Sequence, residues 1–226
     1  MTSRTLRSRL TRVALTAALA FCLLGGTAAA QDVSVSANAG YVSQYFFRGI
    51  LQKTSSASAG LDLTAGPVSL GTWAADVGDG SEVDLYGSVG AEAGEFSFSV
   101  GGTAYLYTGE FDDTYIEANF NGGAGPLGVE FSIGEWKGFG VPANYWFLGI
   151  TAEHEGFYGT VGTFGDEADG TYGEVGYGWS AADLDWSIAG ILNDSTLSGL
   201  VDSVGDPTEG FTLIFGVSKS FDLTGN

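Results

Sequence analysis

The sequence is short of everything a secreted soluble domain uses to hold itself together or do chemistry. Of 226 residues one is cysteine, one is histidine, and eight are lysine or arginine against 27 acids. A single cysteine, Cys22, excludes an internal disulfide and a thiolate metal site. A formal charge of −19 makes nucleic acid and anionic lipid surfaces poor partners. The one sustained apolar run, VALTAALAFCLLGG, lies near the N-terminus, and no later stretch is long enough to cross a bilayer as a helix. Helical periodicity is missing too, because nothing after Asp32 keeps apolar residues at a three-to-four spacing.

What is present begins with Arg4, Arg7, Arg9 and Arg12, followed by that apolar run and Ala28-Ala29-Ala30. This is the order of a secretory signal peptide, so residues 1–30 are expected to be removed, leaving one domain over 31–226. Phe21 before Cys22 is too large for a lipoprotein signal. The remaining bases are Arg48, Lys53, Lys137 and Lys219, against all of the acids.

From Asp32 onward apolar and polar residues alternate. VDLYGSVGAEA puts Val83, Leu85, Val89 and Ala91 on one face, and FSFSVGGTAYLY puts Phe96, Phe98, Val100, Ala104 and Leu106 there. Short turns fall at Ala65-Gly66-Pro67, Ala93-Gly94-Glu95, Ala124-Gly125-Pro126, Glu155-Gly156 and Ala181-Ala182-Asp183. Between them lie longer connections: RGILQKTSS, DVGDGSE, YTGEFDD, EWKGFGVPAN, FGDEADGT and NDSTLSGLVDSVGDPTEG. The reading is an all-β, antiparallel, up-and-down transmembrane β-barrel of about twelve strands, with short periplasmic turns, long extracellular loops and both termini periplasmic. Its expected location is the bacterial outer membrane, among lipid, lipopolysaccharide and the barrel-assembly machinery.

A soluble β-sandwich also alternates, and charge parity separates the two. The apolar face carries no charge until Lys219, whereas the polar face holds Asp62, Asp84, Glu92, Glu117, Glu130, Glu153, Glu174 and Asp185. A dry core does not hold eight carboxylates without partners, but a wet lumen does. These eight and Arg48 are therefore expected to line a pore, with inward Gly60, Gly101, Gly128, Gly162, Gly176 and Gly178 leaving room and Phe46, Trp73, Phe147, Phe164 and several tyrosines taking it back. Aromatic residues at strand ends, Tyr45, Phe47, Tyr177, Trp179, Trp186 and Phe221, are expected to form interfacial girdles. In YVSQYFFRGILQ, parity from Val33 and Val35 points Arg48 inward, near the extracellular mouth and level with Asp84, Glu117 and Glu174. It either sorts solutes by charge or ties the wall together through ion pairs, and the sequence weighs the two evenly.

SQYFFRGILQ followed by GTWAADVGDGSEVDLYGSVG resembles the opening of the TorF family of porins, also catalogued as the Gcw_chp domain. The matching positions are Ser43, Tyr45, Arg48, Gly49, Gly71 and Trp73, then Asp84, Leu85 and Tyr86. The resemblance implies an outer-membrane barrel called a porin by inference, and it supplies no substrate. One departure is the C-terminus, which continues Asp-Leu-Thr-Gly-Asn after Phe221 where such barrels generally end on an aromatic residue.

The leading functional expectation is a passive, cation-preferring channel for small hydrophilic solutes, with no cofactor and no enzymatic activity. The alternative is a non-conducting structural or adhesive barrel whose acidic loops, Asp76/Asp79/Glu82, Glu110/Asp112/Asp113, Asp166/Glu167/Asp169 and Asp202/Asp206/Glu209, take divalent cations; none has the ligand spacing of a calcium loop. A lipid hydrolase would need His154 as its base, and His154 falls beside a short turn, where an ordinary turn residue is the simpler reading.

Overall fold

The computed structural model describes residues 33–224, so the leader expected over 1–30 lies outside the described residues. The strands are β1 (Val33–Phe47), β2 (Ile50–Ala65), β3 (Val68–Gly78), β4 (Gly80–Ala93), β5 (Phe96–Tyr107), β6 (Tyr115–Ala124) and β7 (Leu127–Trp136). They continue with β8 (Ala143–His154), β9 (Phe157–Asp166), β10 (Gly170–Ala181), β11 (Leu184–Asn193), β12 (Leu200–Val201), β13 (Pro207–Thr208) and β14 (Gly210–Asp222). Each barrel strand pairs antiparallel with its chain neighbour, and β14 returns to β1, closing a barrel of twelve strands; β12 and β13 form a separate small hairpin in the longest loop.

The alternation reads directly as an inverted core. Leu70, Val89, Phe98, Val100, Val161 and Phe215 stand half or more exposed on the outside, while Ser69, Ser99, Thr103, Asn119 and Ser132 are buried inside. A soluble sandwich would reverse this. An uninterrupted apolar exterior of this extent needs lipid against it. Charge reaches the outer columns only at their ends. Asp76 and Glu135, overlooked by the parity count, sit outward at the long-loop rim, each bonded to a lysine, Lys53 and Lys137. Lys219 lies over the Phe221 ring near the short-turn end. There Phe157, Tyr177 and Trp179 stack in a row with centroids 4.5 and 6.0 Å apart, and Trp186 and Phe221 are exposed nearby, the geometry of an interfacial girdle.

Two expectations about the connections are corrected. RGILQKTSS is not a loop: β1 and β2 stay paired until Phe47↔Ile50, joined by Arg48-Gly49 alone. DVGDGSE shrinks in the same way to Asp79 between Gly78 and Gly80, both at positive φ. Beyond Phe221 the chain continues the seam, where the Leu223 N–H donates to Val35 at 2.8 Å and the Val35 N–H to the Thr224 hydroxyl at 3.0 Å.

Candidate functional site: an arginine held across the lumen

The β1–β2 hairpin does not stop at the barrel rim. Arg48 and Gly49 both take positive φ, 45° and 87°, as a two-residue primed turn requires. Just before it the register shifts between Tyr45 and Phe46, and Ser55 on the returning strand also has positive φ. The extra residue is Gln52 on the returning strand, and the bulge increases the local twist of the hairpin; at its tip Tyr45, Phe46, Phe47 and Arg48 all meet the interior. Tyr45 and Phe47 are therefore not girdle residues. The Tyr45 hydroxyl donates to Glu82 at 2.5 Å and its ring meets Trp73 edge-on at 5.5 Å; Phe47 meets Tyr105 at 5.1 Å. Phe46 joins a cluster with Tyr145, Phe147, Phe164, Tyr172 and Ile191, contributed by β8 to β11.

Gly49 is packed so closely that a β-carbon there would lie 2.7 Å from the Tyr172 ring, and its carbonyl accepts from the Asn193 amide. Arg48 is 3% exposed. One terminal nitrogen donates to Glu117 at 2.5 Å, and the other donates to Glu117 at 3.1 Å, to Ser132 at 3.1 Å and to Glu130. The guanidinium carbon lies 4.4 Å from the Phe147 ring centre and 4.9 Å from that of Phe47. Nε alone has no partner among the described residues. Glu117 also accepts from the hydroxyls of Tyr145 at 2.8 Å and Tyr105 at 3.1 Å and from the Asn119 amide at 2.9 Å.

The other expected site residues are spread along the wall. Asp62 accepts from Tyr86 at 2.6 Å, Asp185 accepts from Ser180 at 2.6 Å, and Glu174 accepts from Tyr158 rather than from Arg48. Asp84 is buried, with one oxygen lacking a partner, whereas Glu92 and Glu153 are exposed at the short-turn end. Glu130, not singled out beforehand as a partner of Arg48, is its second carboxylate. Glu82, grouped with the loop acids, is a wall residue 1% exposed. His154 is exposed beside its turn. The family-motif residues converge inside: Tyr45 meets Trp73, and Tyr86 crosses Gly71 to reach Asp62. Ser43 accepts from the Phe215 N–H at 2.9 Å and so helps to close the seam.

The inward glycines do not simply leave room. A β-carbon at Gly162 would lie 2.8 Å from Phe147, and one at Gly176 would strike Tyr158, so these glycines seat rings that fill the lumen. Gly128 differs, with nothing within 4 Å. Gly176→Val is expected to destabilise the barrel by about 1–3 kcal/mol, as overpacking does, and to lower the temperature of its heat-modifiable gel shift, while Gly128→Ala leaves it unchanged. Equal shifts would contradict the ring-seating role.

Beside the hairpin tip lies a cavity of ≈ 200 Å³ lined by Arg48, Glu130, Phe147, Thr151, Glu153 and Tyr158, and a smaller one of ≈ 50 Å³ touches Gln44, Trp73 and Glu174. The loop acids hold their own loops. Asp112 accepts from Tyr115 and Trp136, and Asp113 from the Phe139 N–H. Backbone donors from Val204 and Asp206 keep the Asp202 carboxyl below its ordinary range. Among the described residues no group of three or more His, Cys, Asp or Glu is placed to hold a metal ion.

An apolar belt around a polar, carboxylate-bearing interior, closed by twelve antiparallel strands, defines an outer-membrane β-barrel. The chain belongs to the Gcw_chp family, described as bacterial protein of unknown function, whose model matches residues 26–191. Its fold is similar to the COG4313 outer membrane channel from Pseudomonas putida F1, at 12% identity over 88% of this chain and 100% of that one, with a TM-score of 0.51. A structure from work on in-meso crystallization of membrane proteins aligns with a TM-score of 0.58 at 7% identity, covering 85% of each chain. Identities this low establish the barrel fold and nothing finer. No curated protein matches the sequence.

Proposed function

We propose that this barrel is a narrow channel for small hydrophilic solutes that prefers cations. The observation that carries the proposal is the interior charge: Asp62, Asp84, Glu92, Glu117, Glu130, Glu153, Glu174 and Asp185, now joined by Glu82, against the guanidinium of Arg48. Field lines in a narrow, low-dielectric pore concentrate on such walls and enrich counter-ions. In a planar bilayer under a potassium chloride gradient, the reversal potential is expected to take the sign of potassium permeation. An anion-selective potential would sink the proposal.

A second reading, a non-conducting structural barrel, is favoured by one observation: the hairpin tip and its aromatic neighbours occupy the lumen. Liposome swelling in small sugars separates the two, since an occluded barrel admits none. The orientation follows from loop length, with the 194–209 connection extracellular and Gly125-Pro126 periplasmic. Epitope tags in the first are expected to bind antibody on intact cells and tags in the second only after the cells are opened; the opposite pattern would invert the barrel.

A further inference from the structure

We propose that the cage now filled by the Arg48 guanidinium is a solute-binding site for small organic cations bearing a guanidinium or primary amine, with Arg48 as its tethered internal occupant. The inference rests on the channel reading and names the class of solute it takes.

The cage is built independently of the arginine. Glu117, with its side chain fully buried, is held by Tyr145, Asn119 and Tyr105, each from the barrel wall, so the carboxylate stays aimed at the same point whether or not Arg48 is there. Glu130 and the Ser132 hydroxyl add acceptors from β7, and Phe147 adds an aromatic face from β8. Two carboxylates, a hydroxyl and a ring face make a site for a compact nitrogen cation able to donate in several directions. None of these groups travels with the arginine; only Phe47, the second ring against the guanidinium, does, because it precedes Arg48 in the hairpin. The wall belongs to one part of the molecule and the occupant to another.

The contacts also show which part of the occupant is read. Both terminal nitrogens are engaged and Nε is not, so recognition stops at the end group shared by any alkylguanidinium and approached by a primary amine. A route to that end group exists. Glu130, with its side chain 20% exposed, and Phe147 border the ≈ 200 Å³ cavity, which Glu153 lines further toward the short-turn end. A small cation drawn to Glu153 meets Glu130 next and competes there with the arginine. A purely structural arginine would require none of this, and free cations would then act only by screening.

The test uses methylguanidinium against sodium at equal ionic strength, on the reconstituted full barrel. In Arg48→Ala protein, methylguanidinium in the low millimolar range is expected to raise the heat-modification temperature above that in sodium, and a further Glu117→Gln change is expected to abolish the effect. It is also expected to carry or block current at concentrations at least about tenfold lower than in the unmodified protein, because a tethered group competes at high effective concentration. If methylguanidinium and sodium are indistinguishable in both readouts, the cage proposal is overturned. Current without any methylguanidinium effect discards the cage and keeps the channel; a melting response without current does the reverse. Should Arg48→Ala fail to assemble, the unmodified barrel still decides, since its conductance must then differ between methylguanidinium and equimolar sodium, and equality overturns the proposal.

Discussion

Barrels carrying Arg48→Ala are expected to conduct more and to select harder for cations. Arg48 is buried inside the barrel, and its removal frees the space of a side chain flanked by Phe47 and Phe147. It also removes a positive charge from beside Glu117 and Glu130. At an effective dielectric constant of about 20, a unit charge about 8 Å from a permeating ion is worth about 2 kcal/mol. The ratio of potassium to chloride permeability should therefore rise at least about thirtyfold at low salt. At 1 M salt, with a screening length of about 3 Å, most of that gain should vanish. Gly49→Val supplies the control. It disturbs the seat of the tip against Tyr172 while keeping the positive charge in the lumen, so conductance should rise while selectivity gains less than in Arg48→Ala. An unchanged reversal potential in Arg48→Ala would remove Arg48 from the permeation path.

Glu117→Ala is expected to have the largest effect on stability. The substitution leaves a buried guanidinium with Glu130 and Ser132 alone, strands the hydroxyls of Tyr145 and Tyr105 without their acceptor, and leaves the Asn119 amide with Ser132 as its remaining acceptor. Breaking one side of a buried pair costs about 3–5 kcal/mol, whereas replacing both partners by apolar groups of similar volume is close to neutral. Arg48→Met with Glu117→Leu should therefore melt much nearer the unmodified barrel than Glu117→Ala does, as read by urea unfolding in detergent. Independent, additive losses from the two positions would show that the pair is not the unit of stability.

The barrel was legible because lipid admits charge only at the ends of the outer columns: columns such as Phe96, Phe98 and Val100 keep their parity from end to end, and Gly-containing turns mark most returns. Arg48 was legible as an inward cation because a lone base after three aromatics has few other places to go. Tyr45 and Phe47 were not, since counting by twos fails at a bulge, and the shift between Tyr45 and Phe46 leaves no mark in hydrophobicity. Glu82 was misplaced for a related reason. Its nearness to Asp76 and Asp79 suggested a loop, but the turn needs only Asp79, so Glu82 is already wall. The pairing of Arg48 with Glu130 spans 82 residues and depends on how far the hairpin leans inward, which no local pattern records. Glycines show where a side chain is missing, not which ring will take its place.

The tip of this hairpin also acts as a strut. Arg48 and Gly49 reach Glu117 on β6, Glu130 on β7, Phe147 on β8, Tyr172 on β10 and Asn193 on β11, at sequence separations from 69 to 144 residues where a hydrogen bond is made. Contacts so remote along the chain come late in folding. The first hairpin to be synthesised thus has its final seat only when the far side of the wall is in place. Once seated, it ties β1 to the strands it reaches across the lumen, so the girth of the cylinder is gauged from within by a residue that also bonds the interior carboxylates.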